Sequence, residues 1–201
     1  KNCKIIQRVG DIGTHSKPDL NKLVKASTQY SDYIIFPSEW AKNMINYSKG
    51  NYSIVPNAPL EIFQSNIALK PKNKKIKIVT HHWSMNEKKG FDFYEHLGKK
   101  IIDNEIKNIE FTFIGRFNKK YNSNGIKLIG PINAIELSKE LPKHDVYLTA
   151  SLEEAGANHV LEAIASGLPV LYRKGGGSIN EYCKDYGIEY SSKENLIESL
   201  K

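Results

Sequence analysis

The chain has 201 residues, 40% of them hydrophobic and 25% charged, so it can bury a core as one large domain or as one domain with part of another. No apolar run approaches the roughly 18 residues that span a bilayer, and the polar start at Lys1 is unlike a signal peptide. These features predict a globular, cytoplasmic protein. Its two cysteines, Cys3 and Cys183, are too few for a disulfide framework or a zinc site, so we expect free thiols.

The formal charge of +7 favours anionic partners such as nucleic acid, phosphorylated metabolites or an acidic membrane surface. Much of the excess lies in residues 70–75 and at Lys119 and Lys120, which resemble a linker and a loop. No aromatic residues alternate with these lysines. We therefore favour solvated basic segments over a nucleic-acid surface.

The first part of the chain alternates strand and helix signals, which is the pattern of parallel sheets flanked by helices. Strands are predicted at 4–9, 33–36 and 52–55, and helices at 20–30 and, after an N-cap at Ser38, up to about residue 48. The polar, proline-punctuated segment 61–75 predicts an interdomain linker. Three strands and two helices are too few for a doubly wound domain, so we interpret residues 1–60 as the remnant of an N-terminal, acceptor-side domain with sequence missing upstream.

A second α/β series follows the predicted linker. Strands are predicted at 76–80, 109–114, 127–130, 146–150 and 169–172, with helices at 89–104, 134–141 and 159–166. This series predicts a nearly complete, Rossmann-like C-terminal domain over residues 76–201. The fold class is thus α/β, with one such domain and part of another.

Two carboxylates, Glu154 and Glu162, lie eight positions apart just after the apolar run 146–150. In an open α/β sheet, the carboxyl end of a strand faces a helix N-terminus, whose unpaired N–H groups and dipole favour anionic ligands. The pattern therefore predicts a ligand site. The alternative is structural, with Glu154 capping the helix and Glu162 on its solvated face.

The stretch 154–170, with its E-x7-E spacing and the tail E-A-x-A-x-G-x-P-V, resembles the donor-site signature of retaining glycosyltransferases of the GT-B architecture, specifically family 4. Further matches occur in the same order as in that family, at 8–9, 33–38, 55–57, 89–90, 113–115 and 175–177. The resemblance implies transfer of a sugar, with retention of configuration, from a nucleotide-diphosphate sugar to a glycan, lipid or other glycoconjugate.

The resemblance also implies roles for individual residues. Glu162 would hold the ribose hydroxyls, Glu154 would bind sugar hydroxyls near the anomeric carbon, and Lys89 would neutralise the leaving diphosphate without a bound metal or other cofactor. Backbone N–H groups would contact the diphosphate or sugar at a helix start formed by Gly156, Ala157 and Asn158. The base would lie against the loops that contain Gly115 and Pro131.

The sequence departs from this family where an arginine normally assists the lysine, because Trp83 occupies that position. The phosphate contact would then fall to Ser84, or to another cation such as Arg116 or Arg173. Other polar residues have weaker assignments. His81 and His82 should point to opposite sides of a strand, which argues against a metal site, and one of them could hydrogen-bond the ligand. We expect His159 to be a packed histidine and Gly175–Gly177 to form a turn.

On the acceptor side, residues 7–11 and the loop through His15 follow a predicted strand and would face the cleft. Arg8 and Asp11 would line it, although a salt-bridged loop accounts for them equally well. The expected partners are a nucleotide sugar and a glycan or lipid-linked acceptor, with peripheral contact to an anionic membrane and no nucleic acid. Two alternatives to a glycosyltransferase remain: a sugar-nucleotide epimerase or phosphorylase-like enzyme of the same fold, and a non-catalytic nucleotide- or nucleic-acid-binding module.

Overall fold

The computed structural model describes residues 3–15, 17–64 and 75–201. The first part of the chain forms a three-stranded parallel sheet in the order β1-β2-β3. Its elements are β1 (Ile6–Arg8), α1 (Leu20–Ser27), β2 (Tyr33–Phe36), α2 (Glu39–Met44) and β3 (Tyr52–Ile54). As predicted, the Ser38 hydroxyl caps α2 by accepting a hydrogen bond from the Ala41 N–H.

The second part of the described chain forms a six-stranded sheet whose neighbouring strands all pair in parallel. The strands are β4 (Ile76–His82), β5 (Ile109–Gly115), β6 (Ile126–Ile129), β7 (Val146–Thr149), β8 (Val170–Arg173) and β9 (Gly187–Tyr190). The helices are α3 (Phe91–Ile102), α4 (Ala134–Glu140), α5 (Asn158–Ala165), α6 (Ser178–Cys183) and α7 (Lys193–Glu198).

The order of the large sheet, β6-β5-β4-β7-β8-β9, is that of a doubly wound Rossmann-like domain, which confirms the predicted architecture. The winding direction reverses between β4 and β7. At such a point the loops after the two strands diverge and leave a crevice above their carboxyl ends. The loops that flank this crevice begin at Trp83 and Ala150.

Sequence periodicity missed three elements near the end of the chain, α6, β9 and α7. Each is only 4 to 6 residues long and each contains polar residues. Packing stabilises these three elements, because Ile179, Tyr190 and Leu196 are fully buried. Burying an apolar side chain of this size contributes about 1.5 to 3 kcal/mol, which outweighs weak local propensity.

Apolar side chains fill both faces of the large sheet. On one face α3 and α7 cover a core that includes Tyr94 and Phe113. The other face carries α5 and α6 over a core that includes Val160. This second core also contains Phe63, which lies in the predicted linker and is fully buried. The remainder of that segment, 65–74, and with it most of the basic run 70–75, lies outside the described residues.

The small sheet is fixed against the large one through the loop that follows β7. The Thr14 hydroxyl donates to the carbonyl oxygen of Glu153 at 2.7 Å, and the Ser38 hydroxyl donates to that of Ala155 at 2.8 Å. At the start of α2, the N–H groups of Glu39 and Trp40 donate to the two carboxylate oxygens of Glu181. The loop that carries Glu154 is therefore held from both sides.

The described residues form no helix long and apolar enough to cross a bilayer. Cys3 and Cys183 are free thiols, as predicted, and burial raises the pKa of the Cys183 thiol to about 12. In the loop 116–125, the exposed Lys120 pairs with the exposed Glu87.

Candidate functional site

A cavity of about 290 Å³ opens at the crevice between β4 and β7. It brings together six of the residues predicted for the donor site: Ser84, Lys89, Glu154, Gly156, Asn158 and Glu162. Its remaining walls are His81, His82, Trp83 and His159. Residues from the β4 loop, the β7 loop and α5 thus converge where the sheet topology leaves a crevice.

Glu154 is the most enclosed carboxylate in the cavity. Its Oε1 atom accepts a hydrogen bond from the Lys89 ammonium at 2.5 Å, and the two side chains are only 13% and 12% exposed. His15 lies on the other side of the carboxylate, with 3.8 Å between its Nε2 and Glu154 Oε2. The structural alternative for Glu154 does not occur, since α5 begins after Ala157 with no side-chain cap.

The glycine cluster determines where the Glu154 backbone lies. The Glu154 N–H donates to the Gly176 carbonyl oxygen at 3.1 Å, and Glu154 forms an isolated parallel bridge with Gly177. Gly177 has φ of +71°, and a Cβ there would lie 2.6 Å from the Glu154 carbonyl oxygen. Glu153 is itself in the left-handed region, with φ of +54°. The predicted turn therefore also sets the position of the carboxylate.

Lys89 is placed by a second close backbone approach. Gly90, with φ of +79°, ends the short 3₁₀ turn that contains Lys89, and a Cβ at Gly90 would lie 2.4 Å from the Ala150 Cβ. The Leu152 N–H donates to the Lys88 carbonyl oxygen at 2.8 Å. These contacts join the turn before α3 to the end of β7, so the ammonium and the carboxylate meet.

Glu162 projects from α5 toward the end of β4. Its Oε2 atom lies 2.8 Å from His81 Nε2, and the Glu162 side chain is 24% exposed. The other ring nitrogen of His81 lies 3.1 Å from the hydroxyl of Tyr147, which is fully buried. Glu162 is thus partly oriented before any ligand binds, unlike a carboxylate on a solvated helix face.

His82 points to the opposite side of β4, as predicted, where its Nε2 lies 2.7 Å from the Tyr94 hydroxyl. Burial, together with the positive charge of Lys89 and the neighbouring imidazoles, lowers the pKa of His82 well below 6.5. The same causes lower the pKa of His159, whose Nε2 lies 3.1 Å from the Thr149 hydroxyl. Both imidazoles are therefore neutral at pH 7. His159 packs as expected, and it also forms part of the cavity wall.

Two backbone N–H groups predicted to contact the ligand already have partners within the chain. The Ala157 N–H donates to the Ser178 hydroxyl and the Asn158 N–H donates to the Gly156 carbonyl oxygen, each at 3.0 Å. A closed loop before α5 thus uses both N–H groups, and a ligand would have to replace these partners, so their contact with the ligand stays a prediction. Asn158 lines the cavity, and its side-chain oxygen accepts a hydrogen bond from Asn57.

The small sheet reaches the site through Asn57, whose side-chain N–H donates to Asn158 Oδ1 at 2.6 Å. The Arg8 guanidinium in turn donates to Asn57 Oδ1. Asp11 lies away from Arg8 and pairs with Lys17 at 3.4 Å, with both side chains more than half exposed. The salt-bridged loop that we considered thus forms with Lys17, whereas Arg8 is connected to the cavity wall.

A second, smaller cavity of about 10 Å³ adjoins the first and shares three of its walls, His81, His82 and Trp83. Its other walls are Ile114, Gly115, Pro131, Ile132 and Leu137. The two residues predicted for the base end, Gly115 and Pro131, therefore lie together. The Trp83 side chain is 54% exposed at the boundary of the two cavities.

The cations considered as substitutes for the missing arginine do not line either cavity. The Arg173 guanidinium lies 4.1 Å from the ring centroid of Phe93, on the α3 face of the sheet. Arg116 is exposed, and its N–H donates to the His82 carbonyl oxygen at 3.0 Å. The contact with Phe93 holds Arg173 on the α3 face, whereas a role for Arg116 in the donor site stays a prediction. Ser84 does line the larger cavity.

Sequence reasoning placed the loop through His15 at the cleft without giving His15 a partner, and it missed Asn57 and the backbone contacts of the glycine cluster. His15 and Asn57 come from the first 60 residues and meet Glu154 and Asn158 only through the packing of the two sheets. The segments 55–57 and 175–177 resembled the family motif, but no periodicity indicated what they contact. Over the described ranges, no group of three or more His, Cys, Asp or Glu side chains is arranged to hold a metal ion.

Comparison with known proteins adds a family and a fold. Residues 74–199 match the sequence profile of the family described as Glycosyl transferases group 1. A search of curated protein sequences finds no match.

Several solved structures are similar to the chain. The structure of TarM is 15% identical with a TM-score of 0.75, over 100% of this chain and 43% of TarM. The pneumococcal O-GlcNAc transferase GtfA, solved with UDP and GlcNAc, is 17% identical with a TM-score of 0.62, over 90% of this chain and 39% of GtfA. WaaG, a glycosyltransferase involved in lipopolysaccharide biosynthesis, is 18% identical with a TM-score of 0.64, over 83% of this chain and 52% of WaaG.

The chain thus spans about half the length, or less, of the structures it resembles. At these identities the likeness concerns the fold, and it confirms the predicted α/β class of the GT-B type.

Proposed function

Because the chain belongs to the Glycosyl transferases group 1 family, we propose that it transfers a sugar from a nucleotide-diphosphate donor to a glycan, lipid or other glycoconjugate acceptor. We further propose that it is a family 4 enzyme that retains the configuration of the sugar. The observation that carries this proposal is the Lys89–Glu154 pair, which lies in the same cavity as Glu162. One cation and two carboxylates then face a single crevice at the topological switch point, where α/β sheets bind nucleotides.

In this proposal the donor lies along the crevice, with its base toward Gly115 and Pro131. Glu162 accepts hydrogen bonds from the ribose hydroxyls, and Glu154 accepts them from hydroxyls of the sugar. A carboxylate suits both positions because it accepts hydrogen bonds and donates none. The smaller cavity holds only about one water molecule, so the base would lie across its mouth, where the apolar side chains of Ile132 and Leu137 favour a planar ring over a phosphate.

Lys89 stabilises the negative charge that develops on the diphosphate as the bond to the anomeric carbon breaks. Its ammonium is only slightly exposed, so its interaction with the phosphate is weakly screened by water. In the free protein Glu154 neutralises that ammonium. Donor binding then places the diphosphate and the sugar on either side of the existing ion pair, without a long movement of Lys89.

The acceptor side is assigned to the first part of the chain. Arg8 is linked through Asn57 to Asn158 at the cavity wall, and a cation there would favour an anionic acceptor or the diphosphate itself. A cytoplasmic location also remains a proposal. Contact with an anionic membrane, expected from the charge of the chain, gains no support from the structure.

Nucleotide binding can be measured through Trp83, since the chain contains only one other tryptophan, Trp40. In a Trp40→Phe background, titration with UDP, GDP and ADP should quench the fluorescence of Trp83 for one base more strongly than for the others. A matched titration of Trp83→Phe, which keeps Trp40, should show a much smaller change. No saturable binding of any nucleoside diphosphate by either fluorescence or calorimetry would overturn the proposed function.

Product analysis then separates the candidate reactions. Incubation of the best-binding nucleotide sugar with a pool of glycan and lipid acceptors should yield a glycoside with the anomeric configuration of the donor. An epimerised nucleotide sugar, or saturable binding with no turnover over the whole acceptor pool, would favour the epimerase or the binding module instead. Binding that falls steeply with salt and does not depend on the base would indicate a general polyanion surface.

A further inference from the structure

His81 connects a buried tyrosine with one of the two carboxylates of the cavity. Its Nδ1 atom lies 3.1 Å from the Tyr147 hydroxyl and its Nε2 atom lies 2.8 Å from Glu162 Oε2. The imidazole side chain is 5% exposed and Tyr147 is fully buried, whereas Glu162 reaches the cavity. The three side chains thus form a line of hydrogen-bond contacts that runs from the protein interior to the cavity.

The hydrogen atoms along this line can be assigned from distance and chemistry. Burial raises the pKa of Tyr147 well above 10, so its phenol keeps its hydrogen. The Tyr147 hydroxyl accepts from the His81 backbone N–H at 3.3 Å. Its own hydrogen has His81 Nδ1 at 3.1 Å and the His81 carbonyl oxygen at 3.5 Å as acceptors, and the shorter contact is the better hydrogen bond. If the phenol donates to Nδ1, the imidazole carries its hydrogen on Nε2 and donates it to Glu162.

We propose that His81 is a positioning residue that orients the Glu162 carboxylate for the ribose diol of the donor. This inference rests on the proposed function, in which Glu162 holds the ribose. The imidazole binds one carboxylate oxygen and leaves the other to accept from a ribose hydroxyl. The motif that suggested Glu162 contains no sign of this partner, because His81 lies 81 positions earlier in the chain.

The physical advantage is a smaller entropy loss on binding. A glutamate side chain has several rotatable bonds, and ordering such a side chain costs free energy when the ligand arrives. The contact with His81 restrains Glu162 in the free protein. Tyr147 in turn restrains the ring orientation of His81 and its tautomer, in the way that outer partners orient the histidines of metal sites.

The test compares two substitutions of His81 with two forms of the nucleotide. His81→Leu removes the N–H donor, whereas His81→Gln places an amide N–H near the position of Nε2. With the nucleoside diphosphate that binds best, His81→Leu should weaken binding about tenfold, and His81→Gln should recover most of that loss. With the matching 2′,3′-dideoxynucleotide, which lacks the diol, His81→Leu should change the affinity less than about twofold, since Glu162 then has no ribose hydroxyl to bind.

An equal loss for both nucleotides in a folded His81→Leu protein would overturn the inference and leave the proposed function standing. So would unchanged affinity in that variant. If the wild-type protein binds no nucleoside diphosphate, the proposed function fails first and the inference fails with it. Melting temperatures of both variants establish that they are folded.

A spectroscopic measurement covers the case in which His81→Leu does not fold. Imidazole ¹⁵N shifts of the wild-type protein should show a hydrogen on His81 Nε2, the atom that faces Glu162. Tyr147→Phe removes the phenol hydrogen bond, so it should shift the Nδ1 resonance of His81 and weaken nucleotide binding by roughly threefold. A His81 Nε2 atom without a hydrogen in the wild-type protein would contradict the assignment.

Discussion

The two glutamates of the cavity are held in contrasting ways. Glu162 is part of the regular helix α5 and meets His81 from the adjacent strand, so strand and helix geometry largely determine its position. Glu154 lies in an irregular loop. The residue before it, Glu153, has a positive φ, and the Glu154 backbone contacts two glycines of the cluster. Its carboxylate meets Lys89 and His15, which come from distant segments of the chain. Two residues of one sequence motif can therefore be held in place by different kinds of structure, one by a regular helix and the other by loop contacts.

Within the proposed function, the two glutamates are held differently because they bind different parts of the donor. A nucleotide is a constant part of the donor, and a rigid helix suits its recognition. The sugar end must meet an acceptor, and a loop tied to both sheets can respond to changes on either side.

Substitution at the Glu154 end should abolish most turnover while preserving the nucleotide site. Glu154→Gln and Lys89→Ala should each reduce turnover of the nucleotide sugar about a hundredfold, near 3 kcal/mol, because each removes a charge that acts on the reacting end of the donor. Glu154→Gln should change nucleoside diphosphate affinity less than about threefold, and Glu162→Gln should weaken it about tenfold.

The matched control for Lys89→Ala is Lys120→Ala. Lys120 also pairs with a glutamate, but both side chains of that pair are more than half exposed. This variant should keep wild-type turnover and stability, since exposed ion pairs contribute little. Wild-type turnover in Glu154→Gln and Lys89→Ala, measured with steady-state kinetics on folded protein, would contradict the assignment of both residues.

The loop around Glu154 should be sensitive to a single methyl group. Gly177→Ala should lower the free energy of unfolding by about 2 kcal/mol, because alanine is strained at φ of +71° and its Cβ would collide with the Glu154 backbone. Urea denaturation measures this change. Gly10→Ala is the control, since a Cβ at Gly10 meets nothing within 4 Å. Equal stability of the two variants would show that the glycine cluster does not hold the loop.

The strand and helix side of the cavity should respond to pH. His82 and His159 have pKa values well below 6.5 in the folded protein, whereas in the unfolded chain they protonate near 6.5. The unfolded state therefore binds more protons below that pH, and the free energy of unfolding falls as the pH drops from about 6.5 toward 5. The slope is up to about 1.4 kcal/mol per pH unit for each histidine.

Urea denaturation across that range measures the slope. His159→Gln should remove the contribution of one histidine and leave a shallower dependence on pH. Carboxylates also make the free energy of unfolding depend on pH, mainly at lower pH. The informative quantity is therefore the difference in slope between the variant and the wild-type protein. Identical slopes would mean that the pKa of His159 is the same in the folded and unfolded states, which would contradict the lowered pKa.

Much of the fold followed from local patterns. The predicted limits of β2 match the structure at both ends, and the N-cap at Ser38 forms as expected. The missed elements α6 and α7 are short helices whose polar residues obscure the helical period. For the site, the motif predicted that Glu154, Glu162 and Lys89 meet, and the structure places all three in one cavity. Their roles in the reaction remain predictions.

The partners of those residues were not predictable, because each lies far away in the sequence. His81 meets Glu162 across 81 positions, and the Asn57 side chain meets Asn158 across 101 positions. Arg116 and Arg173 were reasonable substitutes for the missing arginine on the basis of charge. The contact of Arg173 with Phe93 depends on tertiary packing, which charge does not reveal.

The α/β class, the Rossmann-like second series and the carboxylates at the crevice follow from the sequence, because apolar periodicity and motif spacing are local properties of the chain. The contacts of Gly175–Gly177 with the Glu154 loop, the position of His15 beside the Glu154 carboxylate, and the contacts that join Tyr147, His81 and Glu162 appear only in the three-dimensional structure. Those contacts depend on how two sheets and their loops pack, and packing energy is shared among residues that no local pattern connects.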